Sequence, residues 1–155
     1  MTHSEELTSA INDLVLIHND RIEGYRNAIE SLDQKDADLK MLFSKMISNS
    51  RDHLSRLGSL VHKVGGEVEE GTTTSGKIYR SWMSIKTAFT GNERTSILES
   101  CEGGEDAALE AYDKALESDA EMSVDVRQLL MEQKSSLQTD HDQIKKLRDL
   151  HKSMA

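Results

Sequence analysis

The chain contains no proline and only one cysteine, Cys101. Without proline no segment is barred from a helix interior, where that residue removes a hydrogen bond and clashes with the preceding turn. A lone cysteine cannot close an internal disulfide, so the fold must rest on burial, and a reducing cytoplasm is the expected location. Cationic residues are also short: 19 Lys and Arg stand against 28 Asp and Glu, for a net charge of −9. That balance argues against a nucleic-acid partner, because phosphate binding needs a cationic surface. No apolar run approaches the roughly 20 residues that span a bilayer. The first residues, MTHSEELTSAIND, are acidic and lack an apolar stretch, so no secretory signal is expected there.

What remains is rich in Leu, Glu, Lys, Ala and Met, a composition that favours an all-helical fold. Its 155 residues fit one domain, 1–155, with a real core. Apolar residues recur at steps of three and four, the spacing that lays one stripe along a helix. The first stripe is Ile11, Leu14, His18, Ile22, Tyr25, Ala28 and Leu32, predicting a helix over about 4–32. The second is Leu39, Phe43, Met46, Ser50, His53, Leu57, Leu60 and Val64, over about 37–64. Asp36 is its expected N-cap, and Gly65-Gly66 its stop. A third helix over 93–117 carries Leu98, Cys101, Glu105, Ala108, Tyr112 and Ala115. The fourth, 124–151, carries Val126, Leu130, Gln133, Leu137, His141, Ile144 and Leu147, with Ser123 as its cap.

Short turns join the first two helices and the last two, so each pair is an antiparallel hairpin. The crossover over 67–92 is long enough to return along the bundle, with a short helix expected over about 76–90 around Ile78, Trp82, Ile85 and Phe89. Two hairpins joined by one long crossover is the connectivity of the ferritin-like four-helix bundle.

A polar pattern occurs twice on these stripes. His18, Tyr25 and His53 are echoed by Glu105, Tyr112 and His141. Counted from the turns at about 1.5 Å per residue, His18, His53, Glu105 and His141 all lie at roughly 24–30 Å, one level of the bundle. Two readings follow. One is a single divalent ion, zinc or iron, on the N3O set His18, His53, Glu105 and His141. The other is a buried hydrogen-bonded cluster, with Glu105 pairing a histidine and Tyr25 or Tyr112 closing the network. The cluster is the first expectation. Glu23 and Glu102 flank the stripes and would enter a site if the register moved. Cys101 reads as a small core residue. Gly103-Gly104, inside a helix, reads as a place of close helix approach.

Several segments also resemble an uncharacterised family of bacterial ferritin-like bundle proteins. They are Asn19 to Tyr25 (NDRIEGY), Ser75 to Met83 (SGKIYRSWM), Gly104-Glu105, and His141 to Asp149 (HDQIKKLRD). The resemblance spans nearly the whole chain and implies a fold but no activity. More broadly, the chain is similar to ferritin-like di-iron proteins such as rubrerythrin. Those carry a Glu on each of two helices and a Glu-x-x-His on each of the other two. The likeness assigns Glu105, His53 and His141 to ligand positions, but puts His18, Ser50 and Gln138 where carboxylates belong. With one anionic ligand, two divalent ions would be under-compensated in a dry core, and a working di-iron centre is not expected.

The crossover collects Tyr79, Trp82 and Phe89 beside Lys77, Arg80 and Lys86. One reading is an interaction patch for a protein partner, a homodimer or an anionic surface; the other is packing onto the bundle. No nucleophile motif or phosphate loop is present. The sequence thus supports a non-catalytic cytoplasmic binding or stress-accessory protein. A single-metal oxidoreductase-like protein and an interaction module are the alternatives.

Overall fold

The computed structural model describes residues 2–73, 79, 80, 82 and 94–154. Four long helices carry the fold: α1 (His3–Ser31), α2 (Ala37–Lys63), α3 (Arg94–Glu117) and α4 (Val124–Met154). A 3-10 turn, Gln34–Asp36, links α1 to α2. The fold is the all-α ferritin-like bundle. Packing is closest within the two hairpins, and α1 against α3 is the main contact between them.

Helix ends follow local chemistry. Thr2 caps α1 in a reciprocal box with Glu5, each side chain meeting the other's backbone N–H. Ser123 Oγ accepts from the Val126 N–H at the start of α4. Gly65 follows α2 with φ +81°, a conformation that favours glycine. Asp36 stands before α2 as expected but does not cap it; its buried carboxylate accepts from Arg94 at 2.5 Å. Arg94 also reaches Asp38 and His151. The first residue of α3 is thereby tied to the α1–α2 turn.

That tie fixes the crossover's direction. It must travel from the end of α2 back to the α1–α2 turn, and residues of α1 guide it. Asn12 Nδ2 donates to the Glu67 carbonyl at 2.9 Å, and its Oδ1 accepts from the Glu69 N–H at 3.0 Å. Asn19 donates to the Gly71 carbonyl at 2.7 Å. Asp20 accepts from both the N–H and the hydroxyl of Thr73. Further along, Trp82 is 2 % exposed and seats against the bundle. The short helix expected over 76–90 lies mostly outside the described residues, as do Lys77, Ile78, Ile85, Lys86 and Phe89.

Two apolar clusters fill the bundle. One gathers Tyr25, Phe43, Met46, Trp82, Leu98, Cys101 and Ile144; the other gathers Ile11, Leu14, Leu57, Val61, Ala108, Tyr112 and Leu130. On every helix the residues between the two are polar and buried: His18 and Arg21, Ser50 and His53, Glu105, and Asp140. Glu105, Arg21, His18 and Ser50 are 0 % exposed. A charged layer at mid-bundle, sealed by apolar layers above and below, is where a function would be sought.

Candidate functional site

The layer is organised by Arg21, a residue that no stripe singles out. An arginine carries five N–H donors in a planar fork, and here all five have partners. Nε donates to Glu105 Oε1 at 2.6 Å. Nη1 donates to Ser50 Oγ at 2.9 Å and to the Met46 carbonyl at 3.3 Å. Nη2 donates to Asp140 Oδ2 at 2.8 Å and meets Met46 Sδ at 3.6 Å. The Tyr25 hydroxyl adds a bond to Glu105 Oε1 at 2.7 Å, and Asn49 one to Asp140. Burial alone would lower the Arg21 pKa. Glu105, Tyr25 and Asp140 reverse that and hold it above the ordinary value. The guanidinium is a fixed positive charge shared by two carboxylates from α3 and α4.

From Ser50 a second chain of bonds leads away. Burial, then His53 and Arg21, hold the His18 pKa well below that of free imidazole, so the ring is neutral. Its tautomer follows from the neighbours. Tyr112 donates to Gln133 Oε1 at 2.7 Å, so its oxygen accepts from His18 Nε2–H at 2.6 Å. His18 Nδ1 therefore accepts from the Ser50 hydroxyl at 3.0 Å. Gln133 closes the chain by donating to the His53 carbonyl at 3.3 Å. Every bond from Arg21 to Gln133 points one way, a consistent polarisation. Burial pushes the Tyr25, Tyr112 and Cys101 protons to stay on. His53 lies 5.1 Å from His18, ring centre to ring centre, and burial followed by Arg21 lowers its pKa too.

The four residues expected to share one site do not. His18, His53 and Glu105 share the central layer, but Glu105 pairs with Arg21 and Tyr25 rather than with a histidine. His141 faces the flank of the α3–α4 hairpin, with Nε2 2.7 Å from Asp106 Oδ1 and 3.8 Å from Glu102 Oε1. The inward position on α4 belongs to its neighbour Asp140. Both fit a stripe of threes and fours between Leu137 and Ile144, and the partner decides: Arg21 draws the carboxylate in. Among the described residues, the one group of three or more His, Cys, Asp or Glu with ligand atoms within 4.8 Å is Glu102, Asp106 and His141.

Two divalent ions do not fit the central donor set. Glu105 Oε1 and Asp140 Oδ2 are both committed to Arg21, and both nitrogens of His18 are hydrogen-bonded. Any ion there would also face the fixed guanidinium charge at short range in a low dielectric. Among the fully buried side-chain nitrogens and oxygens of the central layer, Glu105 Oε2 and the two ring nitrogens of His53 have no hydrogen-bond partner in the protein.

The remaining expectations resolve individually. Trp82 turns inward. It packs at 5.2 Å from the Tyr25 ring, in a notch opened by Gly24 on α1 and Gly104 on α3. A Cβ on Gly104 would stand 2.5 Å from the indole. Gly104 therefore admits the crossover tryptophan, whereas Gly103 faces open space. Of the expected interaction patch, Trp82 is buried, Tyr79 half-buried, and Phe89 lies outside the described residues. Cys101 is buried. Glu23 is half-exposed beside Arg26, while Glu102 is largely buried against Arg148.

Comparison with known proteins agrees with this fold. A crystal structure described as ferritin like, diiron-carboxylate proteins from Bacillus anthracis str. Ames has a TM-score of 0.70 to this chain. It shares 16 % sequence identity, over 97 % of this chain and 99 % of that one. At that identity the likeness is one of fold. No curated protein matches the sequence. A family model does match, over residues 6–118, which takes in most of α1, all of α2, the crossover and all of α3. The chain belongs to the family described as Domain of unknown function (DUF2383).

Proposed function

We propose that this chain is a non-catalytic ferritin-like bundle in which an arginine–carboxylate network stands where metal-binding relatives hold ions. Any binding is then a property of its surface. It acts as a cytoplasmic binding or stress-accessory protein. The observation that carries this reading is Arg21: fully buried, with five satisfied donors and two carboxylates bound to it. A redox centre needs ligands free to bind ions and a route for its oxidant. The central residues are buried, and one oxygen of each central carboxylate is held by a permanent cation. The lone, deeply buried Cys101 supports a reducing compartment. Stress duty rests on fold analogy.

The test is ferrous oxidation. Untagged protein mixed with Fe(II) in air should consume oxygen no faster than buffer, and the Glu105→Gln variant should behave identically. Oxygen uptake above buffer that disappears in Glu105→Gln would overturn the proposal.

A further inference from the structure

We propose that Glu102, Asp106 and His141 bind one divalent cation of the borderline class, such as zinc, on the flank of the α3–α4 hairpin. Glu102 and Asp106 are one turn apart on α3, so both carboxylates project to the same side. His141 meets them from α4. It is 8 % exposed, and its Nε2 is buried and makes no hydrogen bond. That nitrogen nevertheless lies 2.7 Å from Asp106 Oδ1 and 3.8 Å from Glu102 Oε1.

The other ring nitrogen fixes the ring's state. Nδ1 is 3.0 Å from Asp142 Oδ1, an oxygen that also accepts from Gln138 at 2.9 Å. A carboxylate only accepts, so Nδ1 carries the proton and donates it. In a neutral ring Nε2 is then a bare lone pair directed between two carboxylates. That arrangement is repulsive unless positive charge lies among the three. A second proton on Nε2 would supply it, and so would a metal ion set among the three ligand atoms. Histidine ligands commonly donate their second N–H to a carboxylate, the role Asp142 has here.

Spacing and charge suit the ion. Ligand atoms about 2.0–2.2 Å from a tetrahedral ion lie roughly 3.3–3.6 Å from one another. The present separations, all within 4.8 Å, reach that by small side-chain rotations. Three carboxylates, Glu102, Asp106 and Asp142, lie within 4 Å of the His141 ring nitrogens, while Arg148 pairs with Glu102 and Asp149. Arg148 holds the second oxygen of Glu102 and leaves the first facing His141. One N and two O ligands leave a fourth position open to solvent through the half-exposed Asp106.

The experiment is titration of metal-free, untagged protein with ZnCl2 by calorimetry, repeated with CoCl2 to read geometry from the visible spectrum. One equivalent should bind, with cobalt bands of a four-coordinate site. His141→Asn should abolish binding, and Asp106→Asn should weaken it by at least about tenfold, the scale of loss seen even for outer partners of metal ligands. Asp106 is half-exposed, so that variant keeps the fold. Glu105→Gln should leave the stoichiometry at one, which separates this site from the centre. Three results would overturn the proposal. They are no uptake, uptake unchanged in both His141→Asn and Asp106→Asn, or a doubly protonated His141 ring by 15N NMR that persists with ZnCl2 present.

Discussion

Removing the charge of Arg21 should be among the most damaging single changes to this fold. In Arg21→Met the side chain keeps its bulk but loses all five donors. Glu105 Oε1 then retains only the Tyr25 hydroxyl, and Asp140 Oδ2 only Asn49 at 3.3 Å. Two carboxylates would be left buried without a counter-charge. Deleting one partner of a buried ion pair costs about 3–5 kcal/mol. For a chain of this size each kcal/mol lowers Tm by about 2–4 °C, so the expected drop is roughly 6–20 °C. The sign of the pH dependence is diagnostic. An unpaired buried carboxylate binds its proton more tightly folded than unfolded, so the deficit should be largest at neutral pH and shrink below about pH 5. Arg21→Lys should also lose stability, since an ammonium cannot present the planar fork. The triple variant Arg21→Met, Glu105→Gln, Asp140→Asn should recover much of the loss, because it removes the stranded charges. Urea titration followed by far-UV circular dichroism from pH 4.5 to 7.5 measures all of this. A loss below about 1 kcal/mol for Arg21→Met at pH 7, the scale of a surface pair, would refute the central role given to the guanidinium.

Three further outcomes are expected. Gly104→Ala should destabilise by about 1–3 kcal/mol through collision with Trp82, while Gly103→Ala, which faces open space in the same helix, should stabilise by up to about 1 kcal/mol; thermal melts of the two compare them directly. His18 and His53 have folded pKa values below the ordinary 6.5, so the unfolded chain takes up protons first as pH falls. Stability should therefore be full above about pH 6.5 and decline below it, by up to about 1.4 kcal/mol per pH unit for each histidine, and His18→Gln should flatten the slope in urea titrations. Asn12→Ala cuts two bonds to the loop at Glu67 and Glu69, and should cost about 1–3 kcal/mol and raise limited proteolysis after residue 66.

How far the sequence could be read varied with the range of the interaction. Helix stripes, hairpin turns and the long crossover are local patterns, and they specify the bundle. The central layer was half legible. His18, Ser50, His53 and Glu105 fall on the stripes and are buried together. Arg21 was missed because arginine is ordinarily a surface residue, although it falls three residues after His18 and four before Tyr25, on the same face. Asp140 and His141 both satisfy the helical spacing, and only the partner waiting across the bundle distinguishes them. The Gly24–Gly104 notch joins three distant segments, so no periodicity announces it. Asp36 shows the same limit. Its position as an N-cap is local, but its use by Arg94 is not.

The most direct test of the central claim is anomalous diffraction from crystals of untagged protein grown with zinc and ferrous salts. The account requires guanidinium density between Glu105 and Asp140 and no anomalous peak within ligand distance of either carboxylate. A metal peak bound to Glu105, with Arg21 displaced, would contradict it.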